Sequence, residues 1–349
     1  MLKNCTGFHK NNINKEFKVK KMEEKEAKEV VECAYRAYGK SYIHRYIYSQ
    51  EELIKLNKLG EIISYVAIGK DGQVVGHIAL EKENNLPIYE LSCAFIHPFY
   101  RGRGYLKDLT KEVIKICQHE KIKSVFVRSV TSHNYSQKSA SKNGFKECAL
   151  LLSRIKSLNF KGICNEIDKR ENLLLGYRYL KKPFKRKSFY KIIKHMDIIK
   201  EIYNNMGIEF KFKDIGKVNM RDLPAGKIRV ISKEKMEAVM FVDEFGREVL
   251  SEISKTINKL KAQGKKIMVL RIKLNDKFTP YVCEYMENKG FIFAGIMPSY
   301  NKDDELILQY IQDKVDFENI SMSSKMGQRL LNYVRNCYID NLENGRMSV

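Results

Sequence analysis

The sequence predicts an α/β protein with a mixed sheet and helices on both faces. Runs of β-branched residues of strand length alternate with segments whose apolar residues recur at helical spacing. An Asp71-Gly72 pair separates two of the strand-like runs, which indicates an antiparallel hairpin. A third run stops at Pro98 and leads through a glycine-rich turn into an amphipathic helix. Hairpin, strand, turn and helix in this order are typical of a mixed sheet.

The first half opens with helices and continues with strands. Residues 1–16 are polar, and we interpret them as a loose tail. Helical spacing predicts a helix over Glu24–Tyr38, and Ser49 with Glu52 forms a capping box for a second one. The elements expected after these are two hairpin strands around 70–72, a strand ending at Pro98, a helix after Leu106, a strand at Ile122–Val130, a helix at Asn134–Asn143, and strands at Glu147–Ile155 and Leu173–Leu180.

The second half repeats this plan after a basic stretch, Lys181–Lys191, which we interpret as a linker. Its predicted elements are helices at Met196–Asn205, Glu248–Gln263 and Thr279–Lys289, and strands at Lys227–Ile231, Ala238–Val242, Ile267–Leu274, Ala294–Pro298 and Glu305–Ile311. Arg128 aligns with Arg271, and Gly144-Phe145 aligns with Gly290-Phe291. We favour a duplication, with domains over 17–180 and 192–349. The alternative is two unrelated α/β pieces that share a helix stop.

The net charge of +22 favours polyanionic partners such as nucleic acid, acidic membranes or a phosphorylated cofactor. Lysine is spread along the whole chain, however, and no arginine-rich tail accompanies it. This distribution argues against a nucleic-acid-binding protein.

The eight cysteines occur singly, without a CxxC pair or a Cys/His cluster suited to zinc. We therefore expect reduced, mostly buried thiols and no metal. The N-terminus lacks an apolar signal core, and no window approaches the roughly 18 apolar residues of a membrane span. These features predict a cytoplasmic protein without a membrane partner.

The strongest chemical signal is the segment from Ile96 to Leu106. A glycine-rich loop at a helix N-terminus exposes backbone N–H groups and forms an anion site through geometry and the helix dipole. Gly102 and Gly104 let the backbone approach a phosphate without a Cβ clash, and Arg101 and Arg103 add positive charge.

This arrangement resembles the GNAT acyltransferase family. The pyrophosphate motif of that family is Arg/Gln-x-x-Gly-x-Gly/Ala after a V-x-P strand end, and here it stands as Arg101–Leu106 after Ile96-His97-Pro98. The resemblance covers roughly 17–155 and implies that acetyl-CoA is the cosubstrate. The residues it assigns to the cofactor are Arg101, Gly102, Arg103, Gly104, Tyr105 and Leu106. Leu106 replaces the usual final Gly or Ala, and its side chain either crowds the pyrophosphate or points into the core.

The same resemblance implies that the strand before the loop pairs with the pantetheine arm through the backbone of Ala94, Phe95 and Ile96. Transfer to an amine also needs a base, because an ammonium group is not nucleophilic. Glu90, at the start of that strand, occupies the position where many members carry this base. An exposed strand-end carboxylate is the alternative for Glu90, and His97 and His77 are the other candidate bases.

The family's usual acid for the leaving thiolate is a tyrosine shortly before the Gly-Phe pair. Ala140 occupies that position here, and Tyr135 and Ser136 lie one turn earlier and are the candidate substitutes. The first helical region often shapes the acceptor pocket in this family. It carries Tyr38, Tyr42 and Tyr46, which are either substrate-binding residues or aromatic core.

The second half lacks the strand–proline–RGRG element. Its counterpart, FVDEFGREVL, places Asp243 and Glu244 where a phosphate would lie, and charge repulsion there argues against CoA. We interpret this half as a degenerate GNAT-like domain that serves packing, substrate recognition or dimerisation. The chain also resembles bacterial tandem-GNAT proteins, which can accompany a regulatory ATPase.

These inferences predict an N-acetyltransferase that moves an acetyl group from acetyl-CoA to an amine, by direct attack in a ternary complex. The acceptor is a small molecule or a protein. The alternative is a non-catalytic CoA-binding sensor or interaction scaffold, and Leu106 and Ala140 motivate it.

Overall fold

A twelve-stranded mixed sheet runs through the molecule, with strand order β1-β2-β3-β4-β5-β7-β6-β13-β14-β12-β11-β10. The computed structural model describes residues 17–83, 88–156, 170–183, 186–216, 226–300 and 303–346. The predicted tail, 1–16, lies outside these ranges. The mixed α/β fold class predicted from the sequence is confirmed.

The first half supplies seven neighbouring strands of this sheet. Its strands are β1 (Lys18–Lys21), β2 (Ile62–Ile68), β3 (Val74–Lys82), β4 (Tyr89–Ile96), β5 (Ser124–Val130), β6 (Lys146–Ile155) and β7 (Glu171–Tyr179). Its helices are α1 (Ala27–Tyr38), α2 (Gln50–Leu59), α3 (Tyr105–His119) and α4 (Tyr135–Lys142). Ser49 caps α2 by accepting the Glu52 N–H at 3.2 Å, as the capping box predicts.

The second half extends the same sheet. Its strands are β8 (Lys187–Tyr190), β9 (Phe210–Lys213), β10 (Lys227–Glu234), β11 (Glu237–Glu244), β12 (Ile267–Lys273), β13 (Ile292–Met297) and β14 (Glu305–Ile311). Its helices are α5 (Met196–Met206), α6 (Val249–Ala262), α7 (Thr279–Glu287) and α8 (Lys325–Glu343). Strands β8 and β9 form a separate parallel pair, so part of the predicted linker, Lys181–Lys191, is a strand.

The two halves share one connectivity. The sheet order β3-β4-β5-β7-β6 of the first half corresponds to β10-β11-β12-β14-β13 of the second. In both, a helix joins the two parallel strands, and a second helix precedes the last hairpin. The halves meet where β13 pairs with β6 at Gly295 and Ala149. The two sets of strands are therefore arranged back to back about this pairing.

Helices cover both faces of the sheet. In the first half, α1 packs through Val30 and Ala34 on one face, and α3 packs through Leu109 and Val113 on the other. Helix α8, which was not predicted, packs beside α5 against β6 and β13. It therefore covers the junction between the halves. Among the described residues, no helix combines the length and the apolar character that a membrane span requires.

Candidate functional site

Strands β4 and β5 run parallel but separate after two residues. Tyr89 and Glu90 pair with β5, and the register ends there. A bulge then interrupts the β3–β4 ladder, and Cys93 lies in the left-handed region at φ 45°. Because β4 does not pair with β5 beyond Glu90, a gap opens between these two strands, and the edge of β4 that faces it is unpaired.

The backbone of β4 offers hydrogen-bonding groups to this gap. His97 donates its N–H to the Val75 carbonyl at 2.9 Å, so by strand alternation the backbone of Phe95 also faces β3. The backbones of Ala94 and Ile96 therefore face the gap. Of the three residues predicted to offer backbone groups, only these two have that orientation, because Phe95 is paired with His77.

The glycine-rich loop lies beside the gap. Gly102 and Gly104 have φ of 77° and 78°, in the left-handed region that glycine adopts without strain. Within the described structure, the backbone N–H groups of residues 102–107 donate no hydrogen bond to another residue. These donors stand at the N-terminus of the fifteen-residue helix α3, where the helix dipole also favours an anion.

The two loop arginines do not have the same role. Arg101 turns back toward α1, where its guanidinium lies within 3.3 Å of the Ala37 carbonyl and 3.4 Å of the Ile96 carbonyl. Arg103 lies over the ring of Phe99, at 5.4 Å from the centroid. Arg101 therefore fixes the loop against α1.

Leu106 lies in the first turn of α3 and is partly buried. Its side chain packs against the apolar cluster between α3 and the sheet, and its carbonyl accepts the Thr110 hydroxyl at 2.7 Å. Tyr105 packs beside it, with its ring 5.8 Å from that of Tyr100. Leu106 is partly buried, so its side chain packs against the core and also borders the space beside the loop.

A cavity of about 850 Å³ connects the loop to the interior. It begins at the loop, follows the gap and ends between the two halves. The first half lines it with the loop, β3, β4, β5 and α4. Residues from the second half form its far wall, namely Ile231, Glu237, Val239, Val269, Arg271, Met297 and Ile307.

Three glutamates and one arginine occupy the middle of the cavity. Arg128 contacts Glu90 through Nη1 and Glu83 through Nη2, the latter at 2.9 Å. Burial raises the pKa of Glu90 to about 8; Arg128 opposes this shift, and the Glu81 and Glu83 charges reinforce it. Burial also acts on Glu83, but Arg128 and Arg271 outweigh it and hold its pKa at about 2. Neighbouring carboxyls thus have opposite protonation tendencies.

Glu81 lies opposite Glu90 in the β3–β4 ladder. One of its oxygens accepts the hydroxyls of Tyr46 and Ser92. The predicted substrate residue Tyr46 is therefore a buried support behind Glu81 and does not line the cavity. Tyr38 and Tyr42, the other two, do line it. Their hydroxyls also contact β4 at the Ala94 carbonyl and the Cys93 N–H, at 3.3 and 3.0 Å.

The candidate acids lie at the start of α4, on the cavity wall. Tyr135 is 61% exposed, so its hydroxyl is reached from solvent. The Ser136 hydroxyl is buried and has no hydrogen-bond partner among the described residues. Ala140 also lines the cavity but brings no acidic group.

The two histidines considered as bases lie elsewhere. His77 is fully buried, its Nδ1 is 2.9 Å from the Cys93 carbonyl oxygen, and burial lowers its pKa to about 4. His97 contacts Arg36 at 3.2 Å on the proline turn. Neither is among the residues that line the cavity.

Sequence reasoning missed Glu81, Glu83, Arg154 and the contribution of the second half. Arg271 of β12 reaches across to Glu83 at 2.8 Å, and Glu237 of β11 pairs with Arg154 at 2.5 Å. The alignment of Arg128 with Arg271 was the available signal, because equivalent strands place equivalent side chains on one face.

A second group of potential ligands lies apart from the cavity. The ligand atoms of buried His195, Cys283 and Glu287 are all within 4.8 Å of one another, a geometry able to hold a metal ion. Two of these residues already have other partners. His195 Nδ1 is 2.8 Å from the Tyr333 hydroxyl, and Glu287 accepts from Lys194 Nζ at 2.8 Å. His195 Nε2 lies 3.3 Å from Glu287 but forms no hydrogen bond among the described residues.

Comparison with known proteins identifies one part of the chain. Residues 27–145 match the model of the Acetyltransferase (GNAT) family. No curated protein matches the chain.

Solved structures similar to the chain include three acetyltransferases. One is a GNAT-family acetyltransferase from Staphylococcus aureus, with 18% identity over 48% of this chain and all of that chain, at a TM-score of 0.36. Another is a putative acetyltransferase from Salmonella typhimurium with its cofactor acetyl-CoA, with 11% identity over 49% and 97% and a TM-score of 0.41. A spermidine N-acetyltransferase from Vibrio cholerae has 12% identity over 48% and 95%, at a TM-score of 0.39.

Proposed function

We propose that the protein transfers an acetyl group from acetyl-CoA to an amine, because residues 27–145 match the model of the Acetyltransferase (GNAT) family. The diphosphate of CoA lies on the amides of residues 102–107, and the pantetheine arm lies in the gap along β4. The acceptor amine enters the cavity from the side of Tyr38 and Tyr42. One observation carries this proposal: unbonded amides at a helix N-terminus open directly into an unpaired strand edge.

Glu90 acts as the general base. It lies at the last pair before β4 and β5 separate, and it lines the cavity. With a pKa of about 8, its carboxylate takes a proton from an ammonium group more readily than an ordinary carboxylate does. Arg128 contacts both Glu90 and Glu83. It therefore orients the base, and its positive charge is shared between the two carboxyl groups.

The positions of these groups in the cavity suggest the order of the chemical steps. The ammonium loses a proton to Glu90, and the neutral amine attacks the thioester carbonyl carbon. The Ala94 N–H, which faces the gap, is placed to stabilise the developing oxyanion. The carbonyl re-forms as the C–S bond breaks, and the thiolate of CoA takes a proton from Tyr135. The new amide nitrogen gives up its second proton, which restores the Tyr135 hydroxyl. Proximity of both substrates in one cavity supplies much of the rate.

A non-catalytic CoA sensor is the second candidate, because Ala140 leaves the usual position of the thiolate acid without an acidic group. Both functions need the loop to bind CoA, and only the enzyme releases free thiol from acetyl-CoA when an amine is present. Thiol release over a panel of amines therefore separates them.

The test of the site uses two glutamate substitutions with matched backbone strain. Gly102 and Gly264 both have φ near +77°, and a Cβ at either meets nothing within 4 Å. Gly102→Glu places a negative charge beside the diphosphate, which costs about 4 kcal/mol at 4 Å in a medium of effective dielectric 20. We expect CoA affinity, measured by calorimetry, to fall about 100-fold or more.

Gly264→Glu carries the same backbone cost at the end of α6 and should leave CoA affinity unchanged. The chain should bind one CoA, since the second half has no equivalent gap. Equal affinity of both variants for CoA would contradict the loop assignment.

The described cysteines, six in number, are all buried free thiols. We propose a reducing compartment such as the cytoplasm, because such compartments preserve free thiols.

A further inference from the structure

The far wall of the cavity is a buried network of charges from both halves. Arg271 contacts Glu83 at 2.8 Å and Glu305 at 2.5 Å. Arg154 contacts Glu237 at 2.5 Å. Arg271 is only 5% exposed, although it lines the cavity.

Among the described residues of this network, the buried polar atoms without a hydrogen-bond partner are donors. Arg128 Nε, Arg154 Nε and Arg271 Nη2 are buried and have no hydrogen-bond partner among the described residues. No carboxylate oxygen in the described part of the network is buried in this way. An unmatched N–H of a buried guanidinium costs free energy until an acceptor reaches it. The missing partner is therefore an acceptor, and a cation does not fit this need.

The position of these donors selects the ligand. Glu90 and Arg271 are joined through a short chain of contacts, from Glu90 to Arg128, to Glu83, to Arg271. An amine held at Glu90 thus has guanidinium groups deeper in the same cavity. Arg271 already contacts Glu305 through Nε and Glu83 through Nη1, so its Nη2 is the nitrogen that can donate to a ligand. A carboxylate oxygen is the favoured acceptor, because the hydrogen bond is then charge-assisted on both sides.

We propose that the acceptor is an amine that also bears a carboxylate, an amino acid or a short peptide, and that Arg271 of the second half binds this carboxylate. The inference rests on the proposed acetyl transfer for the amine end of the substrate. It also gives the second half a function: β12 carries an arginine into the active site of the first half.

The test compares amino acids with their amides. Leucine, phenylalanine and glutamate are each paired with the α-carboxamide, which has nearly the same shape and no charge. The amide has the more acidic ammonium group, so more of it is free amine at neutral pH, and a preference for the acid cannot come from amine ionisation. For at least one pair we expect kcat/KM to favour the acid by about 10- to 100-fold.

The variant Arg271→Gln/Glu305→Gln removes one charge of each sign, and Glu83 keeps Arg128. We expect the preference for the acid to fall below about threefold, with CoA affinity unchanged. The control is Arg229→Gln/Asp243→Asn, an ion pair at 3.1 Å that lies outside the cavity lining. It should keep the preference. Thermal unfolding of both variants checks that the fold is intact.

Binding of the N-acetyl forms of the same compounds, measured by calorimetry, separates the two proposals. Arg271-dependent binding of N-acetyl amino acids without acetylation of any amine would keep the carboxylate site and overturn the acetyl transfer. Acetylation of amides at least as efficient as that of acids, or a preference that persists in Arg271→Gln/Glu305→Gln, would overturn the carboxylate site alone. Tight CoA binding with neither turnover nor product binding would overturn both.

Discussion

The two halves of the sheet carry the same strands and differ in how the central parallel pair is joined. In the first half, β4 and β5 pair at two residues and then separate. In the second half, β11 and β12 pair continuously from Glu237 to Val242. A continuous ladder leaves no strand edge for a pantetheine arm. The same connectivity therefore leaves a strand edge free only in the half where the parallel pairing stops after two residues.

The side chains at corresponding positions of the two parallel strand pairs also differ. Glu90 pairs with Phe126, two residues before Arg128, and Val239 pairs with Val269, two residues before Arg271. The position of the proposed base is therefore valine in the second half. Its ladder partner on the neighbouring strand, Glu81 in the first half, is Ile231 in the second. The second half has the arginine at the corresponding position and has valine and isoleucine where the first half has the two glutamates.

The loops complete the contrast. Free amides and Arg103 stand at the start of α3, whereas Asp243 and Glu244 precede α6. Asp243 forms an ion pair with Arg229 at 3.1 Å, and both side chains are partly exposed at this end of β11. In the proposed reaction, cofactor binding belongs to the first half, and the second half supplies part of the cavity wall.

The largest expected effect on activity comes from Glu90→Gln. Without a base, kcat/KM should fall roughly 10²- to 10⁴-fold. In the wild-type protein the rate should rise with pH as Glu90 loses its proton and level off above its pKa of about 8. This ionisation should be missing from the pH profile of the variant.

Glu81→Gln is the control for Glu90→Gln, because Glu81 is the ladder partner of Glu90 on the same cavity wall. A larger loss of activity in Glu81→Gln than in Glu90→Gln would assign the role of base to Glu81.

The pH dependence of stability provides a second check on Glu90. The pKa of Glu90 is about 8 in the folded protein and has its ordinary value of 4.5 in the unfolded chain, so the folded state holds the proton more tightly. Its contribution to stability is thus lost as pH rises from about 4.5 toward 8, and the variant should not be less stable than wild type at pH 8.5.

The junction between the halves gives the next largest effect. Gly295 has φ +135°, and a Cβ there would lie 2.3 Å from the Ala149 Cα. Gly295→Ala should lower the free energy of unfolding by about 2–5 kcal/mol through overlap and backbone strain. Gly207→Ala, with φ +65° and open space, should cost only about 1 kcal/mol. Urea denaturation with equal losses for both would mean that the halves are not held by this close approach.

Much of the fold could be predicted because its signals are local. The Asp71-Gly72 hairpin, the cap at Ser49 and the stop at Pro98 depend on a few neighbouring residues, and each lies where the sequence placed it. Helix α8 also had a signal: Leu330, Val334, Cys337 and Asn341 recur at helical spacing and are buried. This spacing is typical of an amphipathic helix that buries one face.

The site was predicted only where it is contiguous in sequence. The loop from Arg101 to Leu106 is one segment, and its geometry follows from glycine and helix-terminus chemistry. The far wall needs β12 to lie across the cavity from β3, which depends on the junction at Gly295. No local pattern encodes the contact of Arg271 with Glu83, 188 residues apart. The direction of Leu106, too, was decided by the apolar cluster that it joins.

The smallest expected effect concerns the acid that protonates the thiolate. Counted back from Gly144 and Gly290, Tyr135 and Tyr281 are equivalent, and both are exposed, at 61% and 45%. Only Tyr135 lines the cavity. Tyr135→Phe should lower kcat about tenfold with KM little changed, because an acid acts on the departing thiolate and not on binding. Tyr281→Phe should have no effect. If Ser136→Ala lowers kcat more than Tyr135→Phe does, the buried hydroxyl of Ser136 carries the proton, and the equivalence of the two tyrosines has no bearing on catalysis.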